Sequence, residues 1–431
     1  MPSEPSTELF PEPLSNEAAW TRLPPAIKGQ GAELPIWARQ LAVFMPKTTA
    51  SLLVLDYAQR VSNPVPARLR AAMRLVAADQ LGSGKLCAVA DAKIADFSMG
   101  ESLQVLHGDY TQWSESEQHA LRFMRAMTTQ SCTIEDRDFE QIVVEFGERI
   151  AASMVLLAAY SNFHNRLLIC LGRPTADIDP SAPEIIFAPD LLVSVTTPPP
   201  PRTTQNSESS AASISDEHFP NWSATSFETL QDKLEIQRQK PTRLPIPDWD
   251  ACARNLPPGL INKPSDIIWY RIVFGYAPEL AVPFEYFMRT SMAEGAGKLD
   301  RIFATSLFWV TTKAIDCPYC MGHCEMNFEV AGLSKEEIAH RSRVLGGDDW
   351  SSFIPREQRA LAFARKLTYT PDWISKPDID QLRQDFGDET ALIIILNACR
   401  YHYMTRISNG FQLTLERENV FFDYYNVKNK S

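Results

Sequence analysis

The amino-acid sequence predicts an all-α protein that consists of two tandem, similar helical domains. Apolar residues recur at helical spacing in segments that are too long for strands. Strand–turn–strand alternation with Asn-Gly or Asp-Gly turns does not recur along the sequence. In addition, the two halves of the 431-residue chain match each other in register, which is the pattern of a duplicated unit.

The internal repeat is seen most clearly in one string of residues. The string EQxALxFxR at 117–125 recurs at 357–365, an offset of 240 residues. Trp37 recurs as Trp269 at an offset of 232, so the second half carries about eight extra residues near 341–350. Polar residues that occur in both halves are predicted to make structural ion pairs; these are Arg166, Arg406, Glu117 and Glu357.

Each half contains the same series of predicted helices. In chain order, the helical segments are 69–76, 117–127 and 142–168 in the first half and 302–310, 357–367 and 382–407 in the second. Gly332 predicts a helix end in the second half. Ser334 with Glu337 is a capping-box pattern, which predicts that the next helix begins there.

A segment of different composition lies near the middle of the chain. Residues 194–247 include four consecutive prolines and a run rich in Ser, Thr and Asn, which predicts an extended, mobile linker. Within it, Leu230 and Leu234 follow Ser226 at helical spacing and predict a short docking helix. The predicted domains are therefore residues 1–193, without a C-x-x-C motif, and residues 248–431, which carry one.

Charge and composition exclude several classes of partner. The formal net charge is −11, with 42 Lys and Arg against 53 Asp and Glu, so no basic surplus exists to neutralise nucleic-acid phosphates. No apolar run approaches the roughly 20 residues of a membrane-spanning helix, and the N-terminus lacks the regions of a signal peptide. These features predict a soluble, cytoplasmic protein with no nucleic-acid partner and no membrane partner.

The eight cysteines divide into a scattered group and a cluster. Five lie singly, mostly among apolar neighbours, and are predicted to be small buried side chains; they are Cys87, Cys132, Cys170, Cys252 and Cys399. The other three, Cys317, Cys320 and Cys324, fall within eight residues, and at 100° per residue they share one helix face. Cys324 is either a second resolving thiol or a packed residue.

The cluster predicts a redox-active dithiol at the start of a helix. Pro318 suits the first turn of a helix that is expected to span about 317–331. Cys317 would lie at its N-terminus, where backbone N–H groups and the helix dipole favour the thiolate. Cys320 lies one turn further on, close enough to form a disulfide with Cys317. His323 neighbours Cys320 and is a candidate base or proton shuttle.

A longer series of motifs surrounds the dithiol. The C-x-x-C is followed by Gly322 and His323, by the run RALAFARKLT at 359–368, by Phe386-Gly387 and by Thr405-Arg406-Ile407. With this order of motifs, the chain resembles the alkylhydroperoxidase-like or carboxymuconolactone decarboxylase-like superfamily. The resemblance covers roughly residues 269–410 and, through the repeat, a degenerate copy from 37 to about 171. It implies a compact helical unit that forms homo-oligomers, here dimers or trimers of two-domain chains.

The resemblance also implies an activity. Many members of this family reduce peroxides through the Cys pair, which a dithiol partner then regenerates. For this chain, the resemblance implies a thiol-dependent peroxidase with Cys317, Cys320 and His323 as catalytic residues and no cofactor beyond the redox-active disulfide. The implied substrate is a small peroxide, and the implied reductant is a dithiol protein or a small thiol.

The chain departs from the family pattern in both halves. Members usually carry a Glu twelve residues before the first Cys, as part of a proton relay, but Thr305 stands there. Asp316 and Glu325 are the candidate substitutes. In the first half, Gly84 stands in place of the first Cys, and only Cys87 is kept. The first half is therefore predicted to be a structural partner that covers part of the active pocket.

Three alternatives use the same residues differently. Cys399-x-x-His402 is a candidate ligand pair that would complete a four-ligand zinc site with the C-x-x-C. A carboxymuconolactone decarboxylase-like lyase or isomerase would use His323 as acid and base on a small metabolite, and the cysteines would be incidental. A non-catalytic scaffold would agree with Thr305 and with the loss of the motif from the first half.

Overall fold

The fold is built from α-helices, as the sequence predicts. The structure is a computed structural model that describes residues 10–82, 85–172, 182–192, 219, 221–261 and 264–425, with residues 85–87, 90, 94, 191 and 192 described by their backbone alone. Within these residues the only sheet pairs two short antiparallel strands, β1 (Ala26–Lys28) and β2 (Ile186–Phe187). No helix in the described part of the chain has the length and apolar composition needed to cross a membrane.

The first half contains the helices α1 (Asn16–Arg22), α2 (Ile36–Leu41), α3 (Pro46–Arg60), α4 (Ala67–Gln80), α5 (Lys85–Ile94), α6 (Met99–Leu106), α7 (Glu115–Thr129), α8 (Asp136–Phe146), α9 (Glu148–Cys170) and α10 (Pro189–Leu192). The second half contains α11 (Phe227–Gln239), α12 (Trp249–Ala253), α13 (Ile268–Tyr276), α14 (Pro278–Glu294), α15 (Arg301–Ile315), α16 (Pro318–Val330), α17 (Lys335–Gly346), α18 (Pro355–Tyr369), α19 (Lys376–Phe386), α20 (Asp388–Phe411) and α21 (Phe421–Tyr424).

The helix bounds repeat between the halves. Helices α7, α8 and α9 begin 240 residues before α18, α19 and α20, and α3 begins 232 residues before α14. This order is what a duplication would produce. The buried side chains of the two halves nevertheless belong to one continuous hydrophobic core. The division into two tandem domains therefore stays a prediction.

Equivalent helices of the two halves pack against each other. α9 contacts α20, and α3 contacts α14. Arg166 on α9 donates through Nε to the carbonyl of Leu367 in the last turn of α18, over 3.1 Å. Arg406 on α20 donates through Nη2 to the carbonyl of Thr128 in the last turn of α7, also over 3.1 Å. The predicted ion pairs of these two arginines are wrong, because they satisfy carbonyls that a helix end leaves without a partner.

A glycine divides each of the long apolar segments into two helices. Gly147 separates α8 from α9 with φ of 82°, and Gly387 separates α19 from α20 with φ of 78°. A side chain would be strained in this region of backbone space, so glycine allows the chain to end one helix and begin the next at once. The segments 142–168 and 382–407 are helical, as predicted, but each is a corner between two helices.

The predicted docking helix is confirmed as α11. The Ser226 hydroxyl caps it by accepting from the backbone N–H of Thr229 over 3.1 Å, and Leu230 and Leu234 are buried. α11 packs on α16 and α17. The prolines and the Ser/Thr-rich run of the predicted linker fall in 193–218, which lies outside the described residues. Because α11 packs on α16 and α17, the later part of the predicted linker is packed against the second half.

Candidate functional site

The C-x-x-C motif lies at a helix start, as predicted. Asp316 has a left-handed conformation (φ 55°) that ends α15 and turns the chain toward α16. Cys317 is the N-cap of α16, and Pro318 is its first residue. The Sγ atom of Cys317 accepts from the backbone N–H of Cys320 over 3.4 Å. The two thiols are thus neighbours across the first turn of α16.

Burial dominates the electrostatics of Cys317. The side chain is fully buried, and this burial, together with the neighbouring Cys320 thiol, raises the pKa of Cys317 well above its usual value. The backbone N–H of Cys320 acts in the opposite direction but is outweighed. The expectation that the helix N-terminus favours a thiolate at Cys317 is therefore wrong, because desolvation penalises the charged form more than one N–H stabilises it.

A cavity of about 340 Å³ lies beside α16, and both Cys320 and His323 line it. The rest of its wall comes from α13, α14, α15, α20 and α21 together with neighbouring loop residues. Most of this wall is apolar, with Trp269, Tyr270, Phe284, Met288, Phe308 and Met404 among the lining residues. Cys317 and Cys324 do not line the cavity, and burial raises the pKa of the Cys324 thiol too.

His323 is paired with a carboxylate that the sequence analysis missed. Its Nε2 atom lies 2.7 Å from Oε2 of Glu416, and both side chains are buried. Glu416 Oε1 accepts from the Tyr319 hydroxyl over 2.9 Å and from the backbone N–H of Ile268 over 2.7 Å. Burial tends to raise the pKa of Glu416, but His323 and the backbone N–H of Ile268 outweigh it and hold that pKa below its usual value.

The C-terminal segment reaches His323 because α16 carries a glycine there. A Cβ atom at Gly322 would lie 2.5 Å from Cδ2 of Leu415, the residue before Glu416. The same segment is attached to the end of α11, where the Leu415 N–H donates to the carbonyl of Gln237 over 3.2 Å. The Gln237 amide in turn donates to the carbonyl of Leu413 over 2.7 Å. The docking helix therefore positions the carboxylate that contacts His323.

Cys320 has its own partner on α20. Its thiol lies 3.2 Å from the hydroxyl of Ser408, which itself donates to the carbonyl of Met404 over 3.0 Å. Among the hydrogen bonds of the described residues, none joins Cys320 directly to His323. The two side chains lie on the same helix and line the same cavity, but Cys320 is bonded to Ser408 and His323 to Glu416, so a molecule in the cavity would contact both.

The candidate substitutes for the family Glu lie elsewhere. Asp316 pairs with Lys233 on α11, with its two carboxylate oxygens at 2.7 and 2.9 Å from Nζ. Glu325 accepts from the side chain of Gln231 on the same helix over 2.6 Å. Neither acidic residue lines the cavity, whereas Thr305 does. The carboxylate next to the candidate histidine is thus Glu416.

The zinc alternative gains no support. No group of three His, Cys, Asp or Glu side chains that could hold a metal ion occurs among the described residues. His402 is fully buried; its Nδ1 lies 2.9 Å from Nη1 of Arg406, and its Nε2 lies 3.3 Å from the Thr368 hydroxyl. Burial and the nearby guanidinium groups lower the pKa of His402 well below its usual value. Cys399 is buried beside Cys170 rather than beside the C-x-x-C.

No described residue of the first half lines the cavity, so the prediction that this half covers part of the pocket is wrong for the described part of the chain. All lining residues fall between 267 and 425. By the repeat offsets, Met288, Met292, Arg400 and Met404 of the lining correspond to Asp56, Arg60, Tyr160 and His164. These first-half side chains are buried and pack against each other, so the equivalent volume is filled.

An ion-pair network occupies that filled volume. The Arg60 guanidinium donates to Asp56 Oδ2 over 3.1 Å and to Asp91 Oδ1 over 2.9 Å, while the Arg74 Nε donates to Asp91. The Tyr160 hydroxyl donates to Asp56. Burial opposes the charge on Asp91, but Arg74 and Arg60 outweigh it and lower the pKa of Asp91. Packed and ion-paired side chains thus fill the first half at the positions that border the cavity in the second half.

The scattered cysteines follow the prediction with one exception. Cys170, Cys252 and Cys399 are buried, as expected, and the side chain of Cys87 lies outside the described residues. Cys132 is exposed, so its prediction is wrong. It lies in a short 3₁₀ turn, Ser131–Thr133, that follows α7. This turn contacts α7 and α20 but leaves the Cys132 side chain exposed.

No model of a protein family matches the chain, and no curated protein matches it either. The function must therefore be inferred from the Cys317–Cys320 pair, the His323–Glu416 pair and the cavity that they border.

Proposed function

We propose that the protein is a thiol-dependent oxidoreductase that reduces a hydroperoxide through the Cys317–Cys320 pair. One observation carries this proposal: Cys320 borders the cavity together with His323, while the thiol of Cys317 lies beside Cys320 and is fully buried. One thiol can therefore meet a substrate and the other can meet its oxidised neighbour. The resemblance to the alkylhydroperoxidase-like superfamily agrees with this chemistry.

In the first step, Cys320 is the attacking thiol. Its sulfur, as the thiolate, attacks the outer oxygen of the hydroperoxide ROOH, and the O–O bond breaks. Cys320 becomes a sulfenic acid, and the leaving RO⁻ group takes up a proton to give the alcohol ROH. The sulfur is oxidised by two electrons, and the peroxide is reduced by two.

In the second step, Cys317 resolves the sulfenic acid. Its sulfur attacks the Cys320 sulfur, an S–S bond forms, and the oxygen leaves as water. Burial keeps Cys317 protonated until then, so that it does not compete for the peroxide. An external dithiol protein or small thiol then reduces the disulfide by exchange and is itself oxidised.

The His323–Glu416 pair supplies proton transfer. Because Glu416 remains ionised, it accepts the Nε2 proton of His323 and leaves Nδ1 free as a base. A base in the cavity can take the Cys320 proton and return it to the leaving alkoxide. Glu416 would thus complete a proton relay, which the family pattern builds with the Glu that Thr305 replaces.

Counting thiols after a single oxidation tests the proposal. Fully reduced protein is mixed with one equivalent of peroxide, and free thiols and intramolecular disulfides are measured by alkylation and mass spectrometry. We expect the wild-type protein to lose two thiols through a Cys317–Cys320 disulfide, and Cys320→Ser to lose none there. Cys324→Ser is the matched control, because Cys324 is on the same helix, is fully buried and does not line the cavity. Unchanged oxidation in Cys320→Ser would contradict the proposal.

A second candidate function uses the same cavity without redox chemistry. A histidine held by a buried carboxylate favours acid–base catalysis, as a lyase or isomerase acting on a small metabolite requires. Turnover that survives Cys317→Ser/Cys320→Ser but is lost in His323→Ala would favour this candidate. The reductant, the homo-oligomeric state and the cytoplasmic location stay predictions.

A further inference from the structure

Two arginines line the cavity, and the more deeply buried of them, Arg400, has no acidic partner among the described residues. Arg400 on α20 is 7% exposed and donates through Nη1 to the hydroxyl of Ser291 over 2.6 Å. Its Nε atom is buried without a hydrogen-bond partner, and no carboxylate of a described residue bonds to Arg400. Burial lowers the pKa of Arg400, and the neighbouring groups that oppose this effect are tyrosines. A buried guanidinium is costly unless an anion accompanies it.

Several other buried arginines bond either to carboxylates or, like Arg166 and Arg406, to backbone carbonyls, whereas Arg400 bonds to neither among the described residues. Arg289, on the neighbouring α14, donates to the buried carboxylate of Glu285 over 2.6 Å. The buried Arg60 of the first half is bonded to two aspartates. The position equivalent to Arg400 in the first half is Tyr160, which carries no charge. A cation at this position is therefore specific to the half that contains the cavity.

Three lining residues of α20 are ordered along the cavity. Arg400, Met404 and Ser408 follow each other at intervals of four residues, so they lie on one face of the helix. Eight residues of helix correspond to about 12 Å along its axis. The cationic group therefore stands at one end of this face, an apolar side chain stands in the middle, and the hydroxyl that contacts the Cys320 thiol stands at the other end.

The remaining wall fits an apolar body between these two ends. Phe284, Phe308 and Met288 line the cavity beside Met404. A volume of about 340 Å³ lies near the lower end of ligand cavities, which are roughly 300–1,000 Å³. An inorganic anion would leave this apolar wall unused, and an uncharged hydrocarbon would leave Arg400 unpaired.

We propose that the cavity binds an amphipathic organic carboxylate, with its carboxylate on Arg400, its apolar body along Met404 and its far end at Cys320. The planar guanidinium matches the two oxygens of a carboxylate, and the Ser291 hydroxyl, which accepts from Nη1, fixes the position of the guanidinium. This inference rests on the proposed function and names its substrate class: a hydroperoxide on an apolar chain that ends in a carboxylate. The peroxide group would then meet the thiol while the acid group holds the other end.

Equilibrium binding to the reduced protein, without peroxide, tests this inference independently of the thiol chemistry. The probes are octanoate and its uncharged match octanamide, which differ at the head group, and acetate, which has the head group without the chain. Isothermal titration calorimetry at pH 7 is expected to show octanoate binding at least tenfold more tightly than either of the others. Equal affinities for octanoate and octanamide, or no octanoate binding, would overturn the inference.

Two variants assign the effect to Arg400. Arg400→Met is expected to remove the preference for octanoate, and Arg400→Lys is expected to retain part of it, because the charge stays while the two-pronged geometry is lost. Arg359→Met, which removes a cation that pairs with Asp385 and does not line the cavity, is the control and should bind like the wild type. Octanoate preference that persists in Arg400→Met would contradict the assignment. If that variant does not fold, the comparison of wild type with Arg400→Lys and with octanamide still decides the question. Because the peroxide assay reports on Cys320, binding without disulfide formation would refute only the proposed redox function.

Discussion

His323 and Glu416 lie 2.7 Å apart, although 93 residues separate them in the chain. The contact joins the helix of the C-x-x-C motif to the segment that follows α20. Leu413 and Leu415 attach this segment to the end of the docking helix α11. A change in any of these three elements is therefore expected to reach the histidine at the cavity.

Glu416→Gln tests the energetic role of this contact. The variant keeps the shape of the side chain but loses the charge, and a hydrogen bond to a charged group contributes about 1.5–3 kcal/mol. We expect the free energy of unfolding in urea at pH 7 to fall by about this amount. Glu418→Gln, two residues away and exposed, is the control and should leave stability unchanged. A wild-type unfolding curve for Glu416→Gln would show that the pair contributes nothing.

The same carboxylate predicts a dependence of stability on pH. The folded-state pKa of Glu416 lies below the value of 4.5 that is usual for Glu. A group with a lowered pKa stabilises the fold fully above its unfolded-state pKa, and this contribution is lost as the pH falls through the folded-state pKa. Between pH 7 and pH 3, the wild type should therefore lose more stability than Glu416→Gln, with the difference appearing below about pH 4.5. Parallel stability curves for the two proteins would contradict this expectation.

The sequence predicted the local part of the site and missed the part that depends on distant contacts. Cys317, Cys320 and His323 share one helix, so their spacing alone brings them to one region. Glu416 follows the end of α20 in a segment without regular structure, and no periodicity connects it with α16. The pKa of Cys317 was predicted in the wrong direction for the same reason. The helix N-terminus is visible in the sequence, whereas the packing that buries the thiol is not.

The helices themselves were predictable because their signals are local. Ser226 and Ser334 are N-caps in the structure, as their sequence patterns indicated, and Gly332 follows the end of α16, as predicted, whereas the helix ends at Gly147 and Gly387 were not predicted. The periodicity of the sequence did not reveal which of the two halves contains the cavity. At the equivalent positions, the second half has methionines beside a gap, whereas the first half has charged groups that bind each other. Both kinds of side chain occupy buried helix faces.

Cys317→Ser is expected to stop the proposed reaction at the sulfenic acid. Without the resolving thiol, the oxidised Cys320 has no partner within its own helix turn, so the sulfenic acid should accumulate. Treatment with one equivalent of peroxide and dimedone, followed by mass spectrometry, should show the adduct on Cys320. Cys324→Ser should form the disulfide and give no adduct. Absence of the adduct from Cys317→Ser would show that Cys320 is not the attacking thiol.

Asp91→Asn tests whether the ion-pair network is what fills the first half. Asp91 is the shared acceptor of two buried guanidinium groups, Arg60 and Arg74. Removing one partner of a buried ion pair commonly costs about 3–5 kcal/mol, because the remaining charges stay desolvated. We expect a loss of this size in the free energy of unfolding at pH 7. Glu184→Gln, at the exposed pair with Lys28, should change it by no more than about 1 kcal/mol. Equal effects of the two substitutions would argue against a structural role for the network.

Gly322→Ala tests why a glycine precedes the histidine. The added methyl group would lie 2.5 Å from Leu415 Cδ2, which is closer than carbon atoms can approach, so the buried Leu415 side chain must shift, and we expect the adjoining Glu416 to be displaced with it. Overpacking of this kind costs about 1–3 kcal/mol. We expect Gly322→Ala to lose stability in this range and to form the peroxide-driven disulfide more slowly, since His323 loses its carboxylate partner. Gly347→Ala is the control, because a Cβ atom there would meet only backbone oxygens at 3.4 and 3.6 Å.

A second substitution separates this steric effect from a loss of helix flexibility. Leu415→Ala alone leaves a cavity, but in the double variant the alanine at 322 would occupy part of the vacated volume. The loss of stability in Gly322→Ala/Leu415→Ala should therefore be smaller than the sum of the two single losses, by roughly 0.5–3 kcal/mol as neighbouring residues show. Additive losses would mean that the two side chains do not compete for space. In that case Gly322 would not be the residue that lets Glu416 reach His323.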